Sequence, residues 1–163
     1  MKLKNKNIWS VVMMIMIVAF DQITKYIAKS YLYPDKAKEF IKGFIEFRYV
    51  ENTGVAFSLF SGGRWIFIIL TTAVALGILF YMFKKAQNNL WLYWTLGVLA
   101  SGAIGNIIDR VYLGYVIDFI NPTFVNFAVF NIADCAVTLG TISLIAYLLS
   151  DMFKKGNKKE SQD

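Results

Sequence analysis

Residues 8–28 read IWSVVMMIMIVAFDQITKYIA, an apolar run broken only near its end by Asp21-Gln22-Ile23-Thr24-Lys25. About 20 apolar residues in a helix cross the roughly 30 Å of hydrocarbon in a bilayer, so this stretch decides that the chain is a membrane protein. Lys2, Lys4 and Lys6 ahead of it imitate the basic start of a secretory signal peptide. No small-x-small cleavage site follows, however, and the polar interruption is wrong for one. The stretch reads as a retained first span.

Working outward, Trp65 to Phe83, Leu90 to Ile108 and Phe130 to Leu149 are runs of similar length. The expectation is a mainly α, integral membrane domain over residues 1–153 with four transmembrane helices at about 8–28, 65–83, 90–108 and 130–149. The connections are then 30–64 and 109–129, and a basic, disordered tail covers 154–163. With 57% hydrophobic and 17% aromatic residues, the 163-residue chain is too apolar for one soluble core. Its net charge of +6 does not point to nucleic acid, because the lysines cluster beside the apolar runs instead of interleaving with aromatics.

Basic clusters flank the first span, close the second at Lys84 and Lys85, and follow the fourth at Lys154, Lys155, Lys158 and Lys159. By the positive-inside rule both termini and the middle turn are cytoplasmic and the two long connections lie outside. Within the first connection, Ile45-Glu46-Phe47-Arg48-Tyr49 alternates apolar with charged residues, the period of a half-buried strand. A small extracytoplasmic β-sheet on the outer membrane surface is expected. Gly97, Gly102 and Gly105 in the third span suit close helix packing.

The chain has one cysteine, Cys135, and no histidine. That removes Ser-His-Asp and Cys-His nucleophiles and most zinc sites, and no metal or other cofactor is expected. Hydrolysis would fall to carboxylates or a lysine. An ionisable group in hydrocarbon costs about 2.5–3.5 kcal/mol on insertion scales, so Asp21, Lys25 and Asp134 each need a partner or a task. Asp21 and Lys25 are four apart, one turn on one helix face, and suit a structural ion pair. A Ser101–Lys25 dyad is weakened by the same pairing, which keeps the lysine protonated.

Asp134, one turn into the last span, and Asp118, in the apolar setting Val116-Ile117-Asp118-Phe119-Ile120, are placed at about one depth near the outer face, with Asn106, Asp109 and Arg110. Two carboxylates at close range hold one proton between them and can serve as acid and base in amide hydrolysis. Spacing alone also allows Asp134 to interact with a helix dipole and Asp118 to pair with Arg110. A relay of Asp21, Lys25 and Asp134 in a small transporter, or a noncatalytic scaffold, are the rival readings. The relay needs charges strung across the bilayer, whereas none of the four expected spans has one in its cytoplasmic half.

Five ordered motifs narrow the choice: Asp21-Gln22-x-Thr24-Lys25, Asn52-Thr53-Gly54-x-Ala56-Phe57, Gly105-Asn106-x-x-Asp109-Arg110, Val116-x-Asp118-Phe119 and Phe130-Asn131-x-Ala133-Asp134. Together they resemble the lipoprotein signal peptidase family, bacterial type II signal peptidase, over about Phe20 to Thr138. The resemblance implies an intramembrane aspartyl protease of the bacterial inner membrane, with its active site near the outer leaflet. Its substrate would be a prolipoprotein, cut before a diacylglyceryl-modified cysteine. It implies action as a monomer amid membrane lipid, a cradle around Ile45 to Phe57, and inhibition by compounds of the globomycin type. By matched position Asp118 and Asp134 correspond to the catalytic dyad. Asn52, Gly54, Asn106, Arg110, Asn131 and Ala133 correspond to positions lining or supporting the substrate site, and Asp21 and Lys25 to a pair holding the first helix. One departure is Ala128, where the family commonly has proline; its loss removes a fixed φ from the approach to the last helix.

Overall fold

The computed structural model describes residues 3–34, 36–54 and 63–160. Its elements run α1 (Leu3–Leu32), β1 (Ala37–Ile41), β2 (Ile45–Asn52), α2 (Gly63–Lys84), a 3-10 turn (Ala86–Asn88), α3 (Leu90–Tyr112), β3 (Val116–Pro122) and α4 (Ile132–Glu160). Lipid offers no partner to a backbone N–H or C=O, so apolar segments satisfy those groups internally as helices. Asn5–Leu32, Leu90–Tyr112 and Ile132–Lys155 are long and apolar enough to cross a membrane, while the apolar run described in α2, Ile68–Lys84, is shorter.

The central helix is α3. Its apolar window is 61% buried, against 22% for α1 and 17% for α4, so the flanking helices turn most of their apolar surface outward. Ile15, Leu70, Leu139 and Ile142 are among the exposed aliphatics. In water this surface would drive aggregation; in lipid it is the solvated face. Exposed Trp9, Tyr81 and Trp91 gather at one end of α1, α2 and α3, and exposed Tyr26, Tyr31, Tyr33, Trp65 and Tyr112 at the other. Such paired aromatic belts mark two membrane interfaces.

Glycines let the neighbours of α3 approach. A Cβ on Gly102 would lie 2.5 Å from the Ala133 carbonyl oxygen of α4, and one on Gly105 would lie 2.6 Å from Asp21 Oδ2 of α1. At Gly97 it would meet Met13 and Met82 at 3.0 and 3.3 Å. The close-packing expectation for these three positions holds.

The three strands form an antiparallel sheet in the order β1-β2-β3. Its apolar face packs on the end of α1, where Ala28, Leu32, Tyr49, Ile117 and Phe119 form a buried cluster. Only part of β2 was legible as a strand. β3 was read as an apolar piece of connection, because Val116 to Phe119 are all buried and show no alternation. The expected cradle continues to Phe57, but residues 55–62 lie outside the described residues.

Other boundaries differ for local reasons. α1 begins at Leu3 and runs to Leu32, just ahead of Pro34, which disfavours helix at the residue before it. Lys6, expected in a solvated basic flank, is 2% exposed: its ammonium donates to the Gln87 carbonyl and lies 4.1 Å from the Tyr93 ring centroid. α4 starts at Ile132 because Phe130 is bound to the sheet, exchanging backbone hydrogen bonds with Ile120. That exchange fastens the approach two residues after Ala128, without proline. The expected disorder from Lys154 is also corrected, since α4 continues through Glu160 and Asp151 pairs with Lys155 one turn on.

Gly105→Ala is expected to destabilise the protein by about 1–3 kcal/mol, because a new methyl group in a tight contact forces movement. Gly77→Ala, where a Cβ meets nothing within 4 Å, should be neutral or slightly stabilising. Thermal unfolding of both variants in one detergent measures the difference; equal midpoints would contradict the packing.

Candidate active site

At the end of the bundle that carries the sheet the chain buries an ammonium group among carboxylates. Lys25, 2% exposed, lies 2.8 Å from Asp21 Oδ2 and 3.0 Å from Asp109 Oδ2, and donates to Asn106 Oδ1 at 3.0 Å. The pair read from sequence is therefore a triad, and Asp109 is the partner that sequence reasoning omitted. Gln22, also omitted, donates to Asp109 at 2.9 Å and to the Gly105 carbonyl at 3.2 Å. Their signal was adjacency: each sits inside a motif beside a residue that was chosen. Among the described residues Lys25 bonds no serine, and Ser101 donates to the Gly97 carbonyl of its own helix, so the Ser101–Lys25 dyad is not formed.

Each acid also holds a backbone N–H, Asp21 with its other oxygen and Asp109 with the same Oδ2 that faces Lys25. Asp21 Oδ1 accepts from Ala133 at 2.8 Å, at the open amino-terminal turn of α4. Asp109 accepts from Ile117 N–H at 3.1 Å. Ala133 and Ile117 immediately precede Asp134 and Asp118, so the Lys25 cluster fixes the backbone that carries both.

Asn131 joins the two acids. Its side chain accepts from Asp134 N–H at 2.9 Å while Asp134 Oδ2 accepts from Asn131 N–H at 3.2 Å, a reciprocal capping box that starts α4. The Asn131 Nδ2 donates to Asp118 Oδ1 at 2.6 Å. One fully buried residue thus touches both carboxylates. Asn106 Nδ2 donates to Asp134 Oδ1 at 2.8 Å, and Asn52 Nδ2 donates to Asp118 Oδ2 at 2.8 Å. The orientation of Asn52 is set by Gly54, whose N–H donates to Asn52 Oδ1 at 2.8 Å from a φ of 75° that glycine tolerates.

Arg110 Nη1 donates to the Asn106 carbonyl at 3.4 Å, and the guanidinium feels the fields of Asp134, Asp118 and Asp109. Of the alternative in which Asp118 pairs with Arg110, electrostatic proximity is seen, and among the described residues asparagines donate to Asp118. Ala133 is wholly buried and faces Gly102 and Gly105, so it supports the site instead of lining it. Burial raises the Asp118 carboxyl to about 6; the Asn52 hydrogen bond opposes this and the Asp134 charge adds to it.

The signal peptidase (SPase) II family matches residues 13–150 of this chain. The chain belongs to that family. The lipoprotein signal peptidase of Caldanaerobacter subterraneus subsp. tengcongensis is 45% identical over 148 residues, covering 88% of this chain and 99% of its own. That of Enterococcus faecalis is 38% identical over 136 residues, covering 83% and 84%. A bacterial membrane enzyme solved by the in meso method at 2.3 Å superposes with a TM-score of 0.82 at 36% identity, over 90% of each chain. A second, at 1.9 Å, gives 0.83 at 36% identity, over 87% and 93%. This signal peptidase II member is thus a membrane-embedded bacterial protein with the overall fold of solved membrane enzymes.

Lys25→Met should be among the most damaging single changes to this fold. Removing one partner of a buried ion pair costs about 3–5 kcal/mol, because the acids left behind are desolvated and uncompensated. A thermal midpoint within a degree of the parent's would refute the structural role given to the cluster.

Proposed function

We propose that this signal peptidase II member is an aspartic endopeptidase. It removes the signal peptide from prolipoproteins bearing a diacylglyceryl cysteine, cutting just before that cysteine with water activated between Asp118 and Asp134. The observation that carries the assignment is Asn131 reaching both carboxylates at once, 2.6 Å from one and 3.2 Å from the other.

The ammonium of Lys25 and the guanidinium of Arg110 stand against Asp21, Asp109, Asp118 and Asp134, so binding one proton relieves the excess negative charge. In this mechanism one proton is held between the two carboxyls. The ionised member takes a proton from water as the oxygen attacks the scissile carbonyl, and the protonated member donates to that carbonyl oxygen; on collapse the first gives its new proton to the departing amine while the second recovers one from the diol. Asparagine donors hold both oxygens of Asp118 and one of Asp134, and the Asn131 N–H holds the other. Arg110 is a planar donor suited to an extended substrate backbone or a developing oxyanion.

All four helices cross the bacterial inner membrane in this reading, with both termini cytoplasmic and the site near the outer leaflet. The basic clusters support that orientation, and the two aromatic belts support the crossing. Action as a monomer is part of this reading.

Asp118→Asn and Asp134→Asn should each abolish cleavage of a diacylglyceryl-modified prolipoprotein in detergent while leaving the protein folded; turnover by either variant would remove the dyad. Equal cleavage of an unmodified control would contradict the lipid requirement. Above about pH 6 the free site loses its remaining proton, so kcat/KM should fall, approaching tenfold per unit. Asn52→Ala removes a donor that favours the Asp118 anion and should move this limb to higher pH. A profile flat from pH 6 to 8 would contradict the one-proton mechanism.

A further inference from the structure

A cavity of about 750 Å³ lies between the outer end of α1 and the sheet. Ile27, Tyr31, Phe47 and Phe119 give it an apolar wall, and Lys36 and Lys38, both solvent-exposed, line it as well. It is not part of the carboxylate site. Asp118 and Phe119 are successive on β3 and point to opposite faces of the sheet, Phe119 toward α1 and this cavity.

Depth and charge define the occupant. Exposed Tyr26, Tyr31 and Tyr33 place this end of α1 in an aromatic belt, where acyl chains give way to headgroups. The volume falls within the roughly 300–1,000 Å³ of sites that enclose a small ligand. Among the described residues no carboxylate lines the cavity and Lys36 and Lys38 form no ion pair, so its charged lining is basic. A neutral diacylglyceryl group would fill the apolar wall and leave both lysines unmatched. An anionic phospholipid satisfies both features.

We propose that this cavity binds one anionic phospholipid of the surrounding leaflet, with acyl chain against Ile27, Tyr31, Phe47 and Phe119 and phosphate between Lys36 and Lys38. The site is separate from peptide cleavage and does not rest on the peptidase reading.

The test is lipid retention by the purified full chain, measured by native mass spectrometry after titration with phosphatidylglycerol, phosphatidylcholine or diacylglycerol of matched chains. The parent should retain one phosphatidylglycerol with a preference of about tenfold or more over phosphatidylcholine, the order expected of two interfacial lysines. Lys36→Gln with Lys38→Gln should erase the preference, and Lys36→Glu with Lys38→Glu should reverse it. Ile27→Trp, at a position 48% exposed and tolerant of bulk, should lower retention of both phospholipids by filling the cavity. Equal retention of the two phospholipids by the parent, an undiminished preference in the double Gln variant, or displacement of phosphatidylglycerol by equimolar diacylglycerol would each overturn the proposal.

Discussion

The half of this protein that carries the sheet depends on one desolvated ammonium group. Lys25 is almost inaccessible and is surrounded by Asp21, Asp109 and the Asn106 amide. A buried charge is tolerated only when it is paired and hydrogen-bonded, so these groups have little freedom to rearrange. Their rigidity is passed on through backbone: Asp21 binds the N–H of Ala133, and Asp109 binds that of Ile117. The next residues are Asp134 and Asp118. A cluster on α1 and α3 thereby determines where two carboxylates on other elements stand.

The solvent explains the rest of the architecture. Burying apolar side chains gains little in lipid, where the tails outside are as apolar as the core, so the helices associate through close packing and polar contacts. Gly102 and Gly105 on α3 allow both at one level, bringing Ala133 and Asp21 within distances that any Cβ would obstruct. The small glycine contacts and the ion cluster are therefore one device. Without the approach, Asp21 would not reach the start of α4; without Asp21, that helix start would keep an unsatisfied donor in an apolar setting.

The carboxylate site shows how three asparagines organise charge without adding any. Asn52, Asn106 and Asn131 donate to Asp118 and Asp134, and their own carbonyls are occupied by Gly54 N–H, by Lys25 and by Asp134 N–H. Each amide is held at both ends, so its orientation is fixed before a substrate arrives. Such preorganisation avoids reorganisation during reaction and suits the proposed peptide hydrolysis.

Hydropathy in the sequence determined the membrane class and most of each helix, because a segment long and apolar enough to cross lipid has few other stable forms. The ordered motifs also named Asp118, Asp134 and the three asparagines. The sequence did not reveal β3, whose residues are covered on both faces and so lose their alternation, nor Asp109 as a ligand of Lys25, since that contact joins residues far apart in the chain. Helix ends escaped as well: Phe130 belongs to the sheet because Ile120 is there to pair with it. Sequence determined which segments enter the membrane and which residue types the site can use. Tertiary structure decided which acid faces which amide, because those pairings arise only when α1, α3, α4 and the sheet meet at one depth.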